Sequence, residues 1–338
     1  MRVLLTGAGG YIGSVLAERL VSEGYSLICL DRFFFGEDIL SHIADRVKLV
    51  KDDIRTFDPS IMHGVDAVLD LASLSNDSSG ELDPNKTLEI NYKGRARVAQ
   101  LSKKHGVQRY ILASTCSVYG ASNNVSDENS PLNPLTAYAK ANALAERDIL
   151  ELADTNFTTT VLRQATVYGL SRRMRFDLAI NGMVLALFKT KKIKIMRDGT
   201  QWRPFVHVKD TSMAFMKVLE SERDVVNREI FNIGSNEQNY RIFKLAKNVC
   251  NAINLPFDYE WYGSPDNRNY RVSFDKAMRL LSFKPSHSPE EAASEIYNAL
   301  QEGKLNPDDP RWITVEWYKR LLEMHKLIKD VELEGSIL

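Results

Sequence analysis

Glycines 7, 10 and 13, in the run TGAGGYIG at 6–13, are spaced for holding a pyrophosphate. Gly7 permits a tight turn, Gly10 lets the backbone approach phosphate oxygens, and Gly13 allows a helix to pack closely on a strand. A helix opening there aims unpaired N–H groups and a partial positive charge at the anion. Further along stands Asp31, whose carboxylate would accept from a ribose 2′-hydroxyl and repel a 2′-phosphate, which favours NAD over NADP. Arg32 beside it is able to pair with that phosphate, so the second dinucleotide stays open on these residues alone. Asp53 is placed to receive an adenine amino group. A lone glycine triplet is a weak signal, and its strand-turn-helix setting is what strengthens it.

Positioning such groups takes alternating strands and helices. Short apolar runs predict strands over 3–5, 27–30, 47–50, 67–71, 110–113 and 158–162, and helical spacing is predicted over 12–22, 88–104 and 136–152. Gly106 supplies a stop for the second of these helices. Near-continuous apolar strands between helices indicate an α/β fold of the Rossmann type, a doubly wound parallel sheet covered on both faces. After Tyr168 the texture becomes less regular, and runs at 205–208 and 230–233 are expected to rejoin the sheet. The expected layout is an NAD-binding domain over 1–168 with 205–235 returning to it. A smaller, interleaved substrate-binding domain lies mainly over 169–303, and a helical tail over 304–338. The tail stripe of Trp312, Ile313, Trp317, Tyr318, Leu321 and Leu322 is expected to pack onto its own subunit.

The 338 residues carry 44 Lys+Arg against 44 Asp+Glu, and this zero net charge argues against nucleic acid as a partner. No apolar run approaches the ~18 residues that span a bilayer, and the first residues lack the regions of a signal peptide. Cys29, Cys116 and Cys250 form no CxxC pair, which suits reduced thiols, and a cytoplasmic location is expected. The six histidines show no metal-ligand spacing, so no metal is expected.

Beyond the glycine turn and Asp31 come DDIR at 52–55, LAS at 71–73, Asn91, ASTCSVYG at 113–120 and Tyr138 ahead of an Ala/Glu helix. LRQATVYG at 162–169, RPFVHVKD at 203–210, FNIGS at 231–235 and FKP at 283–285 complete the series. Any one of these is weak, but the ordered set resembles the extended short-chain dehydrogenase/reductase family, particularly its nucleotide-sugar epimerases. The resemblance implies that Tyr138 is the acid–base group at a sugar hydroxyl, usually at C4, that Thr115 assists it, and that NAD accepts the hydride. An epimerase then rotates the ketone and returns the hydride to its opposite face. The implied cofactor contacts are Gly7, Gly10, Tyr11, Ile12, Gly13, Asp31, Arg32, Asp53, Ile54, Leu71, Ala72, Ser73, Asn91, Tyr138, Asn142 and Ala165. The implied partner is a nucleotide-diphosphate sugar. Arg203 and Arg268 match positions that grip the diphosphate, Asn181 matches an asparagine near it, and Ser75, Asn76, Thr115 and Thr166 match positions near the sugar. The nucleotide base stays open, and a homodimer through the helices at 88–104 and 136–152 is implied.

The family pattern is Y-x-x-x-K, and here Asn142 occupies the lysine position. Lys140 is no substitute, because residues two apart point to opposite sides of a helix. A free tyrosine titrates near ~10, and a base useful at neutral pH must sit ~3 units lower. One cation at ~5 Å in an effective dielectric of ~20 contributes about 2.4 of those units. Without the lysine, the expectation is a slower enzyme with an alkaline optimum unless another group supplies charge. Asn142 is expected to hydrogen-bond the nicotinamide ribose. Cys116 and Ser117 follow Thr115, where the family's 4,6-dehydratases carry Asp-Glu, so elimination of water is disfavoured. A nucleotide-sugar epimerase is the leading expectation, with a dehydrogenase or ketoreductase, and a non-catalytic binding protein, as alternatives.

Overall fold

The computed structural model of the chain describes residues 1–336. Seven parallel strands form its central sheet. From one edge to the other they are Glu229–Ile233, Thr158–Gln164, Arg109–Thr115, Ala67–Asp70, Arg2–Thr6, Ser26–Asp31 and Val47–Lys51. Alternation along each strand sends side chains to two cores. Val3, Leu5, Cys29, Leu69, Ile111 and Leu162 face one side, under the helices Tyr11–Ser22 and Val208–Glu220. Leu4, Ile28, Leu30, Val68, Tyr110 and Val161 face the other, under Arg95–Lys104 and Ala137–Glu151. The order of strands reverses on either side of Arg2–Thr6, which opens a crevice at the carboxyl ends there.

The helix expected over 88–104 starts earlier, at Pro84, where the Asp83 carboxylate caps the Lys86 N–H at 3.0 Å. It passes through a π-helical turn, Glu89–Gly94, before the regular stretch Arg95–Lys104. That turn resets the helical phase so that Asn91 and Arg95 both point inward, and each is fully buried. Gly106 ends the helix with φ +78°, as the sequence predicts.

The run at 205–208 corrects an expectation. It is a strand, Trp202–His207, but it joins Thr166–Tyr168 and Asn239–Arg241 in a separate three-stranded sheet. Only Glu229–Ile233 returns to the main sheet, at its edge beside Thr158–Gln164. Apolar alternation is the same for either destination, and the pairing is set by partners distant in sequence. The two halves interlock, since Ala121–Ser126 pairs in parallel with Asn269–Val272.

The tail runs back onto the segment that follows Ser26–Asp31. Trp312 is buried, the Trp317 indole N–H donates to the Phe34 carbonyl at 2.7 Å, and the Tyr318 ring meets Phe34 and Phe35. Among the described residues, no helix is long and apolar enough to cross a membrane.

Candidate functional site

One cleft of about 1260 Å³ opens at the carboxyl ends of the strands and extends to the segment around Tyr262 and Arg268. Its size suits two sizeable ligands end to end. At one end lies the glycine turn. Gly7 has φ +69°, and a Cβ there would sit 2.8 Å from the backbone of Leu71 and Ala72, so only glycine lets these two loops meet. The Thr6 hydroxyl fixes the second loop, accepting from the N–H groups of Leu71 and Ala72, both at 3.1 Å. Gly10, Ile12, Gly13, Ile54, Leu71, Ala72, Ser73 and Ala165 line the cleft.

Asp31 ends its strand facing the cleft, and its carboxylate accepts from the Gly9 N–H at 3.0 Å and the Phe33 N–H at 2.6 Å. Burial raises its pKa. Arg32 turns towards Asp53 at 3.1 Å and stacks on Phe34. Asp53 also binds Arg55 at 2.7 Å; against the effect of burial, the Arg55 and Arg32 guanidiniums hold its pKa down to about 2. Arg32 is thereby turned to Asp53, while Asp31 faces the cleft.

Tyr138 and Thr115 come together on the middle of the wall. Tyr138 lies in the first turn of its helix, capped by the Thr136 hydroxyl, and Thr115 ends the strand Arg109–Thr115. Thr115 lies close enough to Tyr138 to act on the phenol, while its hydroxyl accepts from the Ser117 N–H at 3.1 Å. The turn Asp77–Gly80 packs against Tyr138, and a Cβ on Gly80 would come within 2.9 Å of the Tyr138 Cβ. Burial raises the Tyr138 pKa, Asp77 raises it further, and Arg95, Thr115 and Arg175 lower it. Cys116 is buried with its thiol on the Arg163 carbonyl, and burial pushes its pKa far up, so it is a packing residue.

Three asparagines expected at the ligands point elsewhere. Asn91 is buried and clamps Leu74, accepting from its N–H at 2.8 Å and donating to its carbonyl at 3.1 Å. Asn181 is buried, accepting from the Gly169 N–H and donating to the Tyr11 hydroxyl and the Arg175 carbonyl. The Tyr11 hydroxyl is itself spent on the Gly169 carbonyl at 2.6 Å. Asn142 is fully buried, donates to the Tyr138 carbonyl at 2.9 Å and accepts from Arg95 at 2.9 Å. Each amide is consumed by backbone or buried side chains, so each shapes the wall from behind instead of facing the cleft. Lys140 is exposed on the opposite side of its helix, as the spacing requires.

At the far end Arg203 and Arg268 line the cleft together and share one carboxylate. Arg203 meets Asp266 at 2.6 Å, Arg268 meets it at 2.7 Å, and Arg268 also pairs with Asp77. Ser75 and Asn76 are tied to the segment after Thr166–Tyr168: Arg175 donates to the Ser75 carbonyl at 2.9 Å, and Asn76 donates to Asp177 at 2.7 Å. Thr166 faces the cleft.

The cleft wall also carries polar atoms that want partners. Ser73 Oγ, Gln164 Oε1 and Gln201 Oε1 are buried and without a hydrogen-bond partner among the described residues. Leaving such groups unmade costs about 1–3 kcal/mol each, so their place at the cleft fits polar ligands. Sequence reasoning missed Gln164, Asp266, Asp77 and Asp177, the partner of Arg175, and it missed that the tail residues Tyr318, Leu321 and His325 line the cleft. It also missed Arg95, although 95, 98, 99 and 102 recur at helical spacing on one buried face.

Residues 3–234 match the profile of the NAD dependent epimerase/dehydratase family. An uncharacterized UDP-glucose epimerase, YtcB, of Bacillus subtilis is 28% identical over 304 residues, covering 85% of this chain and 94% of that protein. A UDP-glucuronate 4-epimerase of Thermodesulfobacterium geofontis is 26% identical over 344 residues, covering 96% of this chain and 98% of that one. In fold the chain is similar to the crystal structure of UDP-glucuronic acid 4-epimerase from Bacillus cereus with UDP-glucuronic acid and NAD. The TM-score is 0.81 at 23% identity, with 89% of this chain and 99% of that one covered.

Proposed function

The chain belongs to the NAD-dependent epimerase/dehydratase family, and from that membership we propose that it is a nucleotide-sugar epimerase working through a 4-keto sugar. The observation that carries the reading is the meeting of Tyr138 and Thr115 midway along a cleft running from the glycine turn to Arg203 and Arg268. The glycine turn, Asp31 and Ser73 would hold NAD, which supplies a reversible two-electron acceptor when bound. Tyr138 takes the proton from the sugar hydroxyl and later returns it, while the Thr115 hydroxyl orients that oxygen. Arg203 and Arg268 exchange Asp266 for the diphosphate, which keeps the sugar tethered while its ring turns. The buried Cys116 after Thr115 offers no acid for elimination, which favours epimerisation over dehydration. UDP-sugars come first for testing, because relatives such as the UDP-glucose 4-epimerase of Lactobacillus helveticus (27% identical) carry that name. The protein works as a homodimer in this reading, through the helices Arg95–Lys104 and Ala137–Glu151, which light scattering tests directly.

The test of function is absorbance at 340 nm with NAD and a panel of nucleotide sugars, followed by NMR of the sugars. An altered sugar without net NADH supports the epimerase. Stoichiometric NADH with a keto product makes it a dehydrogenase instead. One observation favours a second reading, a non-catalytic binding protein: Asn142 stands in the lysine position and faces away from the cleft. Calorimetric binding of a nucleotide sugar without turnover or isotope exchange would establish that alternative.

A further inference from the structure

The lysine position is uncharged, yet a cation lies directly behind it. Arg95, on the neighbouring helix, is fully buried, and its guanidinium is fixed from several directions. Nη1 donates to Asn142 Oδ1 at 2.9 Å, and Nη2 donates to the carbonyls of Asp70 at 2.8 Å and Ala113 at 2.6 Å. Asn142 passes the connection on, donating to the Tyr138 carbonyl at 2.9 Å. A lysine at 142 would point its ammonium into the same space, so the two positions divide one role between an arginine and an amide.

We propose that Arg95 is the positioning residue for Tyr138, supplying from the adjacent helix the fixed positive charge that the family's lysine supplies from position 142. The proposal rests on the reading of Tyr138 as the acid–base group. The Asp70 carboxylate does not cancel the charge where it is needed. It meets the guanidinium only at Nε, at 3.4 Å, and is shared with the Thr6 hydroxyl at 2.5 Å and the Tyr110 hydroxyl, whereas Nη1 faces Asn142. Other groups act on Tyr138 as well. Asp77 opposes Arg95 from the turn Asp77–Gly80, although Arg268 and the Thr136 hydroxyl bind that carboxylate. Arg175 assists from the segment after Thr166–Tyr168, and Thr115 from the end of its strand. Arg95 does not line the cleft, so it acts on the phenol through space and through the helix.

The experiment titrates Tyr138 itself, in full-length protein carrying ¹³Cζ-tyrosine, with NAD bound and no sugar present. The resonance is assigned by its loss in Tyr138→Phe. A charge at roughly 6–10 Å in an effective dielectric near 20 moves a pKa by about 1–2 units. Arg95→Met is expected to raise the Tyr138 pKa by about that much, Arg95→Lys to leave it near the wild-type value, and Arg95→Met/Asn142→Lys to restore it. An unshifted Tyr138 in folded, NAD-binding Arg95→Met overturns the proposal, as does an equal rise in Arg95→Lys. Should Arg95→Met not fold, the double variant decides: a wild-type value supports the exchange of cations, and a raised one refutes it. No turnover on any sugar would defeat the proposed function while leaving this titration intact, and a flat titration beside normal turnover would do the reverse.

Discussion

Replacing Asn142 by lysine restores the family pattern, and the structure predicts that it destabilises this protein. Asn142 is buried with Arg95 at 2.9 Å, so an ammonium at 142 is brought beside a guanidinium that cannot retreat. Two like charges at about 4–5 Å in an effective dielectric near 20 repel by roughly 3–4 kcal/mol. The lost hydrogen bond to a charged group removes about 1.5–3 kcal/mol more. Swinging the ammonium towards the cleft recovers part of this, leaving a loss of about 3 kcal/mol. Urea unfolding followed by tryptophan fluorescence, without ligands, measures it. Arg95→Met alone is also destabilising, by about 3–5 kcal/mol, because the Asn142 amide oxygen and the Asp70 and Ala113 carbonyls lose their buried charged donor. Combining the two substitutions should lose less than the sum of the single effects, with a favourable coupling above about 2 kcal/mol. An Asn142→Lys protein as stable as wild type, or a double variant whose losses simply add, would refute this reasoning.

Three other outcomes follow from the same geometry. His207 is buried, and burial together with the His287 and Lys209 charges lowers its pKa to about 3. The unfolded chain therefore takes up this proton first, so its contribution is complete above pH ~6.5 and falls by about 1.4 kcal/mol per unit as the pH drops towards 3; unfolding of His207→Asn should show a flatter acid limb. Arg268→Met should raise the dissociation constant of UDP by about 10- to 100-fold through loss of a charge-assisted contact, with NAD binding unchanged in calorimetry. Tyr318→Ala should weaken NAD binding by about 3- to 30-fold, since its ring lines the nucleotide end on Phe34 and Phe35; unchanged affinity would remove the tail from the cofactor site.

What the sequence made legible was local. The glycine turn, the strand-end acid and the apolar runs are short patterns whose geometry follows from neighbours, and the parallel sheet appeared where they placed it. Tyr138, Thr115, Arg203 and Arg268 also reached one cleft. The failures involve distant partners. Nothing in 205–208 distinguishes the main sheet from a smaller one, because the choice is made by Thr166–Tyr168 and Asn239–Arg241. Asn91, Asn142 and Asn181 fit ligand-facing positions by motif, but an amide turns to whichever buried groups need it, and those lie on other elements. The tail's place at the Asp31 end of the cleft involves a bond from Trp317 to Phe34, across most of the chain. Arg95 was readable in principle from helix phase, since a charged residue on a buried stripe must have partners.

The central claim is that Tyr138 and Thr115 serve a reversible oxidation at the sugar. The most direct measurement is NMR of UDP-[4-²H]glucose incubated with the protein and NAD in ordinary water. The account predicts an epimerised sugar with deuterium kept at C4, no net NADH, and loss of the reaction in Tyr138→Phe. Deuterium exchanged for solvent protons, or an epimerisation that persists at full rate without the Tyr138 hydroxyl, would contradict it.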